Sequence, residues 1–231
     1  MKLLALDTSS EGCSAALLAD GTVTERFELA PRGHTRLLMP MVRELLAEQG
    51  LVPAELDALA FACGPGSFTG LRIATGVVQG LAYGLDVPVV PVSSLAAVAA
   101  DAIDRFSLSD GDGIAVAFDA RMGEVYWACY VCRAGRPALL GDEQVCTPDS
   151  VSLSSGIRCW FGVGQGWGLR DGFPTEVTGA MKDIDDTLVP KASRVVEIAA
   201  QSFQEGKGVA AAEAQPVYIR DEVAWKKLPG R

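Results

Sequence analysis

The chain of 231 residues contains a single histidine, His34. One imidazole cannot build a histidine metal set, and it would have to supply all the base chemistry of a serine or cysteine hydrolase. Cations are scarce as well. Lys and Arg number 20 against 29 Asp and Glu, for a net charge of −9, and the longest basic cluster is Lys226-Lys227. A protein that grips RNA or DNA alone presents a positive face, so the balance argues against tight direct binding and leaves room only for a local patch. Long apolar runs are missing too. Ile73–Leu85 and Val87–Ala100 are split by Asp86 and fall short of a membrane span. The apolar start at Met1 stops at Asp7, too early for the core of a signal sequence. These absences predict a soluble, cytoplasmic chain with no membrane partner. Its 49% hydrophobic content suffices for one large domain or two small lobes.

Six cysteines are present. Cys13, Cys63, Cys129 and Cys146 lie in apolar, strand-like runs, where a reduced thiol acts as a small hydrophobe. Cys129-Tyr130-Val131-Cys132 has CxxC spacing, but a strand would point the two thiols to opposite faces. With no second CxxC, a zinc or redox site is not expected.

The apolar runs predict an order of elements. Lys2–Leu6, Cys13–Leu18 and Thr22–Leu29 read as strands, the last two joined at Asp20-Gly21, a hairpin signal. Thr35–Gln49 reads as a helix stopped by Gly50. Strand Ala58–Cys63, a glycine loop, helix Ile73–Leu85, strand Val87–Val92 and helix Leu95–Ile103 follow. Ser107–Gly113 is the candidate boundary, giving units 1–106 and 107–231. The second half opens like the first. Ala117-Phe118-Asp119 parallels Ala5-Leu6-Asp7, each an apolar strand ending in aspartate before a polar turn with glycine. Glu124–Val131 and Leu139–Val145 complete a second three-strand pattern, followed by strand Cys159–Val163 and helix Lys191–Gln204.

The loop Gly64-Pro65-Gly66-Ser67-Phe68-Thr69-Gly70-Leu71-Arg72 sits between a buried strand and a helix. A backbone this free can approach an anion at a helix N-terminus, which makes phosphate binding one hypothesis. The helix itself offers another. Gly76, Gly80 and Gly84 recur every four residues as a smooth stripe, against which either a partner helix or its own lobe could pack closely.

Two three-strand openings, each ending its first strand in Asp, resemble the actin-like ATPase fold, an α/β architecture of two ribonuclease-H-like lobes. Leu6-Asp7-Thr8-Ser9, the glycine loop with Arg72, Pro91-Val92-Ser93-Ser94-Leu95, Asp119 to Tyr126 and Pro216-Val217-Tyr218-Ile219-Arg220 more specifically resemble the bacterial TsaB family, a relative of the TsaD or glycoprotease family. The resemblance implies a scaffold that binds and activates TsaD in a complex with the ATPase TsaE. That complex places threonylcarbamoyl on the adenosine beside the anticodon of ANN-decoding tRNAs, so tRNA is met only indirectly. The family's helical interface implies a partner surface of Leu38, Met41, Val42 and Leu45 on the first helix with Arg72, Gly76, Gly80 and Gly84. The same patch could form a homodimer when the partner is missing.

No catalytic apparatus is expected. Where TsaD carries its metal-binding His-x-x-x-His, this chain reads Ser94-Leu95-Ala96-Ala97-Val98. A triad of Ser67, His34 and Asp7 lacks a G-x-S-x-G elbow. Asp7, Thr8, Ser9 and Asp119 occupy the strand-end positions of an actin-like nucleotide cleft, and Gly162–Gly166 resembles its adenosine-side loop. Yet no lysine or arginine accompanies Thr8-Ser9-Ser10, and no G-x-x-x-x-G-K-[ST] occurs. The expectation is no cofactor of its own, with ATP or ADP and magnesium at a shared interface left open. The competing class is a self-sufficient ATPase or a protease-type hydrolase. Residues 213–231 either pack back on the first lobe or stay free.

Overall fold

The computed structural model describes residues 1–220. The first half runs β1 (Lys2–Asp7), β2 (Gly12–Ala19), β3 (Thr22–Leu29), α1 (His34–Glu48), β4 (Ala58–Gly64), α2 (Phe68–Leu85), β5 (Val89–Ser93) and α3 (Ser94–Phe106). The second runs β6 (Gly113–Arg121), β7 (Glu124–Arg133), β8 (Arg136–Cys146), β9 (Trp160–Val163), α4 (Thr175–Gly179), β10 (Met181–Asp185) and α5 (Ala192–Gln204). The first sheet has the order β3-β2-β1-β4-β5, the second β8-β7-β6-β9-β10. Each first strand pairs antiparallel with its successor and parallel with the fourth. This duplicated topology is the actin-like ATPase fold anticipated from the two three-strand openings. β10, α4 and a 3-10 run over Gln165–Gly172 were not legible in the sequence, being short and of mixed polarity.

β1 is the central strand and shows why its sequence is apolar throughout. Leu4 and Leu6 face α1 and α2, while Leu3 and Ala5 face α5. A strand covered on both faces reads as a continuous hydrophobic run.

The two halves exchange helices. α3 lies on the second sheet, with Leu95, Val98 and Ala102 against Ile114, Val116 and Tyr130. α5 lies on the first, with Ala192, Val195, Val196 and Ala199 against Leu3, Ala5, Ala60 and Val90. Asp101 of α3 joins the two helices by pairing with Lys191 and Arg194. The boundary after residue 106 thus separates the sheets but not the packing units. Residues beyond α5 return to the first sheet. Val209 bridges to Val89, Ala214 is buried, and Val217 N donates to Cys63 O over 2.7 Å. The rest of the expected tail, 221–231, lies outside the described residues.

One expectation is corrected here. Leu38, Met41, Val42 and Leu45 were expected at a partner surface, but all four are buried in the core of the first lobe. They cover Leu17, Leu59 and Phe61, large side chains on the same face of the sheet. The wide apolar arc of α1 is what a twisted sheet and a neighbouring helix require. Cys129 and Cys132 fall in clusters on opposite faces of the second sheet, as strand alternation predicts.

Candidate functional site

The glycine loop folds down onto the turn that ends β1. α2 starts at Phe68, five residues earlier than its apolar pattern suggested, because the Ser67 hydroxyl accepts from Gly70 N (3.3 Å) and caps it. Ser67 N donates to Ser9 O over 2.7 Å, and Thr8 Oγ1 donates to Gly70 O over 2.7 Å. Two loop glycines are required by contact. A Cβ on Gly66 would lie 2.3 Å from Ser9 O, and one on Gly70 would lie 1.9 Å from Thr8 O. Beneath them Asp7, Thr8 and Ser9 are buried. Ser9 N donates to Asp7 Oδ1 (3.0 Å), and Asp7 Oδ2 has no partner among the described residues. Burial pushes the Asp7 carboxyl up to about 6, with hydrogen bonding from Ser9 pulling the other way.

These residues do not fit a nucleotide. The Thr8 hydroxyl and the Ser9 carbonyl are already spent on Gly70 and Ser67 of the chain's own loop. Asp119 sits half-exposed at the end of β6, bound to Arg121 through its backbone N–H (2.7 Å) and guanidinium (2.9 Å). Trp167 Nε1 donates to Ala115 O over 2.9 Å and holds the Gly162–Gly166 loop against β6. Ser94 and Val98, at the expected histidine positions, are both fully buried. The triad is not assembled either. His34 Nε2 lies 3.0 Å from Ser10 O and 3.2 Å from Gly12 O, so it is spent as a donor to carbonyls, while the Ser67 hydroxyl caps α2.

The outward face of α2 is different. Gly76, Gly80 and Gly84 are exposed, and a Cβ on any of them would meet nothing within 4 Å. Leu71, Ala74, Val78 and Ala82 take the inward face. The bare strip is flanked by large side chains, Phe68 at 56% exposure and Tyr83 at 85%. Arg72 lies 3.8 Å above the Phe68 ring and donates from Nε to the Tyr218 hydroxyl (3.2 Å). Arg72, Thr75, Gly76, Gln79, Gln215, Pro216 and Tyr218 line a groove of about 320 Å³ beside it. Aromatic and arginine side chains around a flat, backbone-accessible strip are what protein interfaces enrich. Of the residues expected at a partner surface, Arg72, Gly76, Gly80 and Gly84 share this face. Phe68, Thr75, Gln79 and Tyr83 lie beside them on the same helix and were not named from the sequence, where an aromatic at each end of a glycine-striped helix was the available signal.

The family model of TsaD, the tRNA N6-adenosine threonylcarbamoyltransferase, matches residues 26–156, which include α1, the glycine loop and α2. The tRNA threonylcarbamoyladenosine biosynthesis protein TsaB of Escherichia coli K12 is 43% identical over all of both chains. The chain belongs to the TsaB family. The Haemophilus influenzae TsaB is 42% identical over 100% of this chain and 98% of its own. Among solved structures, YeaZ from Pseudomonas aeruginosa superposes with a TM-score of 0.88 at 44% identity, over 94% of this chain and 99% of its own. A second P. aeruginosa structure with the same score and identity is described as an uncharacterized protein with similarity to peptidase YeaZ. In this TsaB-family chain the exposed face of α2 stands on a loop closed against its own strand-end turn.

Proposed function

We propose that the chain takes part in threonylcarbamoyladenosine synthesis on tRNA as a non-catalytic subunit that binds and activates a TsaD-type transferase. The observation that carries the reading is the exposed Gly76-Gly80-Gly84 strip between Phe68, Arg72 and Tyr83, which allows a partner helix to approach the backbone of α2. A TsaE-type ATPase joins the assembled complex, and tRNA is reached through it. With net charge −9, the chain depends on its partners for contact with nucleic acid. Any ATP or ADP with magnesium belongs to the shared interface, since the Asp7 turn is closed. In the absence of the transferase, the same strip serves a second copy.

A peptidase or self-sufficient ATPase reading has less support. His34 is committed to two carbonyls, and Asp7 lies under the loop. Co-elution and transferase assays with the TsaD-type protein of the same organism test the proposal. Gly80→Leu is expected to leave the lobe folded and to block the complex. No complex with the unmodified chain, or magnesium-dependent ATP turnover by the isolated chain that Asp7→Ala abolishes, would overturn it.

A further inference from the structure

The groove beside the glycine strip is built by two segments far apart in sequence, and its chemistry is lopsided. α2 supplies Arg72, Thr75 and Gln79, and the returning C-terminal strap supplies Gln215, Pro216 and Tyr218. Arg72 has no acidic partner among the described residues, in a chain whose acids outnumber its bases. Its Nε is used by Tyr218, which leaves both terminal nitrogens as donors. The Tyr218 hydroxyl accepts that bond and so retains its own proton to donate. Thr75 is 5% exposed, and its Oγ1 has no partner among the described residues, a costly state for a buried hydroxyl. Gln79 and Gln215 spend their amide nitrogens on Ala214 O (2.8 Å) and Ala212 O (2.9 Å), leaving amide oxygens as acceptors.

We propose that the groove between α2 and the C-terminal strap receives an aspartate or glutamate side chain of the partner that docks along the glycine strip. The carboxylate takes the terminal guanidinium nitrogens of Arg72, with the Thr75 and Tyr218 hydroxyls as further donors. Backbone N–H groups beside it meet the amide oxygens of Gln79 and Gln215. The surface thus has a flat part that sets closeness and a cationic notch that sets register. A charge-assisted contact of this kind supplies specificity and steering more than bulk affinity. The strap is then part of the binding surface, because it holds Tyr218 against Phe68 and Arg72 (ring centroids 5.5 Å apart for the two aromatics).

This inference rests on the proposed partner role, and the test separates the two. Binding of the full chain to the TsaD-type protein is measured by calorimetry at low and high salt. Arg72→Gln is expected to weaken binding about 10- to 100-fold and to flatten the salt dependence. Thr75→Val, which keeps the side-chain shape, is expected to weaken it about 5- to 10-fold with an unchanged or higher Tm. Mutant cycles of Arg72→Gln against Asp→Asn and Glu→Gln changes on the partner should find one strongly coupled carboxylate. If the unmodified chain does not bind, the partner role falls and this inference falls with it. If it binds, but the two groove variants bind equally well or no partner acid couples to Arg72, only the groove assignment falls. Inorganic phosphate or ADP binding to the isolated chain, lost in Arg72→Gln, would assign the notch to a phosphate ligand and overturn the carboxylate.

Discussion

Asp7→Asn should make the chain more stable at neutral and alkaline pH, by an amount the structure sets. The carboxyl is fully buried with one oxygen unpartnered, and burial raises it from 3.8 to about 6. A group whose folded-state value is raised favours folding when protonated. Its stability is therefore complete below about pH 4 and is lost as pH rises through about 6. A difference of roughly two pH units corresponds to about 3 kcal/mol at pH 8, falling to about 1 kcal/mol at pH 4.5. Asparagine keeps the shape and the acceptor for Ser9 N but cannot ionise, and its amide resembles the protonated acid in what it leaves unsatisfied. Urea unfolding of both proteins at pH 4.5, 6 and 8 measures the difference. With a urea slope of about 1–3 kcal/mol/M, the midpoint at pH 8 should rise by about 1 M or more. A difference that does not change with pH, or a less stable variant at pH 8, would refute the account of Asp7 as a carboxyl sealed under the glycine loop.

Other outcomes follow from the same packing. Gly70→Ala should cost more than about 3 kcal/mol, because the added methyl would lie 1.9 Å from Thr8 O, a backbone atom that cannot swing away; thermal unfolding reads this directly. Leu45→Ala should destabilise by about 2–5 kcal/mol, as for a fully buried leucine, with partner affinity unchanged in the fraction that remains folded. Gly80→Leu should do the opposite, raising helix stability by about 0.5–1 kcal/mol while abolishing the complex. A Gly80→Leu chain that failed to fold would place the strip in the core.

Much of the fold was legible because its signals are local. The run Lys2–Leu6, the Asp20-Gly21 hairpin and the second opening at Ala117-Phe118-Asp119 each carry their own pattern, and the cap of α3 is equally local, the Ser93 hydroxyl accepting from Leu95 N and Ala96 N. Where the reading went astray, composition was ambiguous between two surroundings. An apolar arc on α1 looks the same whether it covers a sheet or awaits a partner, and the distinction lay in Leu17, Leu59 and Phe61 across the lobe. The glycine loop looked like a phosphate cradle because backbone freedom suits an anion and a neighbouring carbonyl equally well.

By itself the sequence determined the strand and helix order of the first half and most of the second, the duplication and the four-residue period that puts Gly76, Gly80 and Gly84 on one side of a helix. It also excluded histidine chemistry at Ser94 and Val98. Only the tertiary structure decided which way that side faces, that Asp7 is sealed, that α3 and α5 change lobes, and that Tyr218 meets Arg72 across 146 residues of chain. The division has a physical cause. Periodicity and capping are properties of adjacent residues, whereas exposure and pairing depend on what the rest of the chain brings alongside.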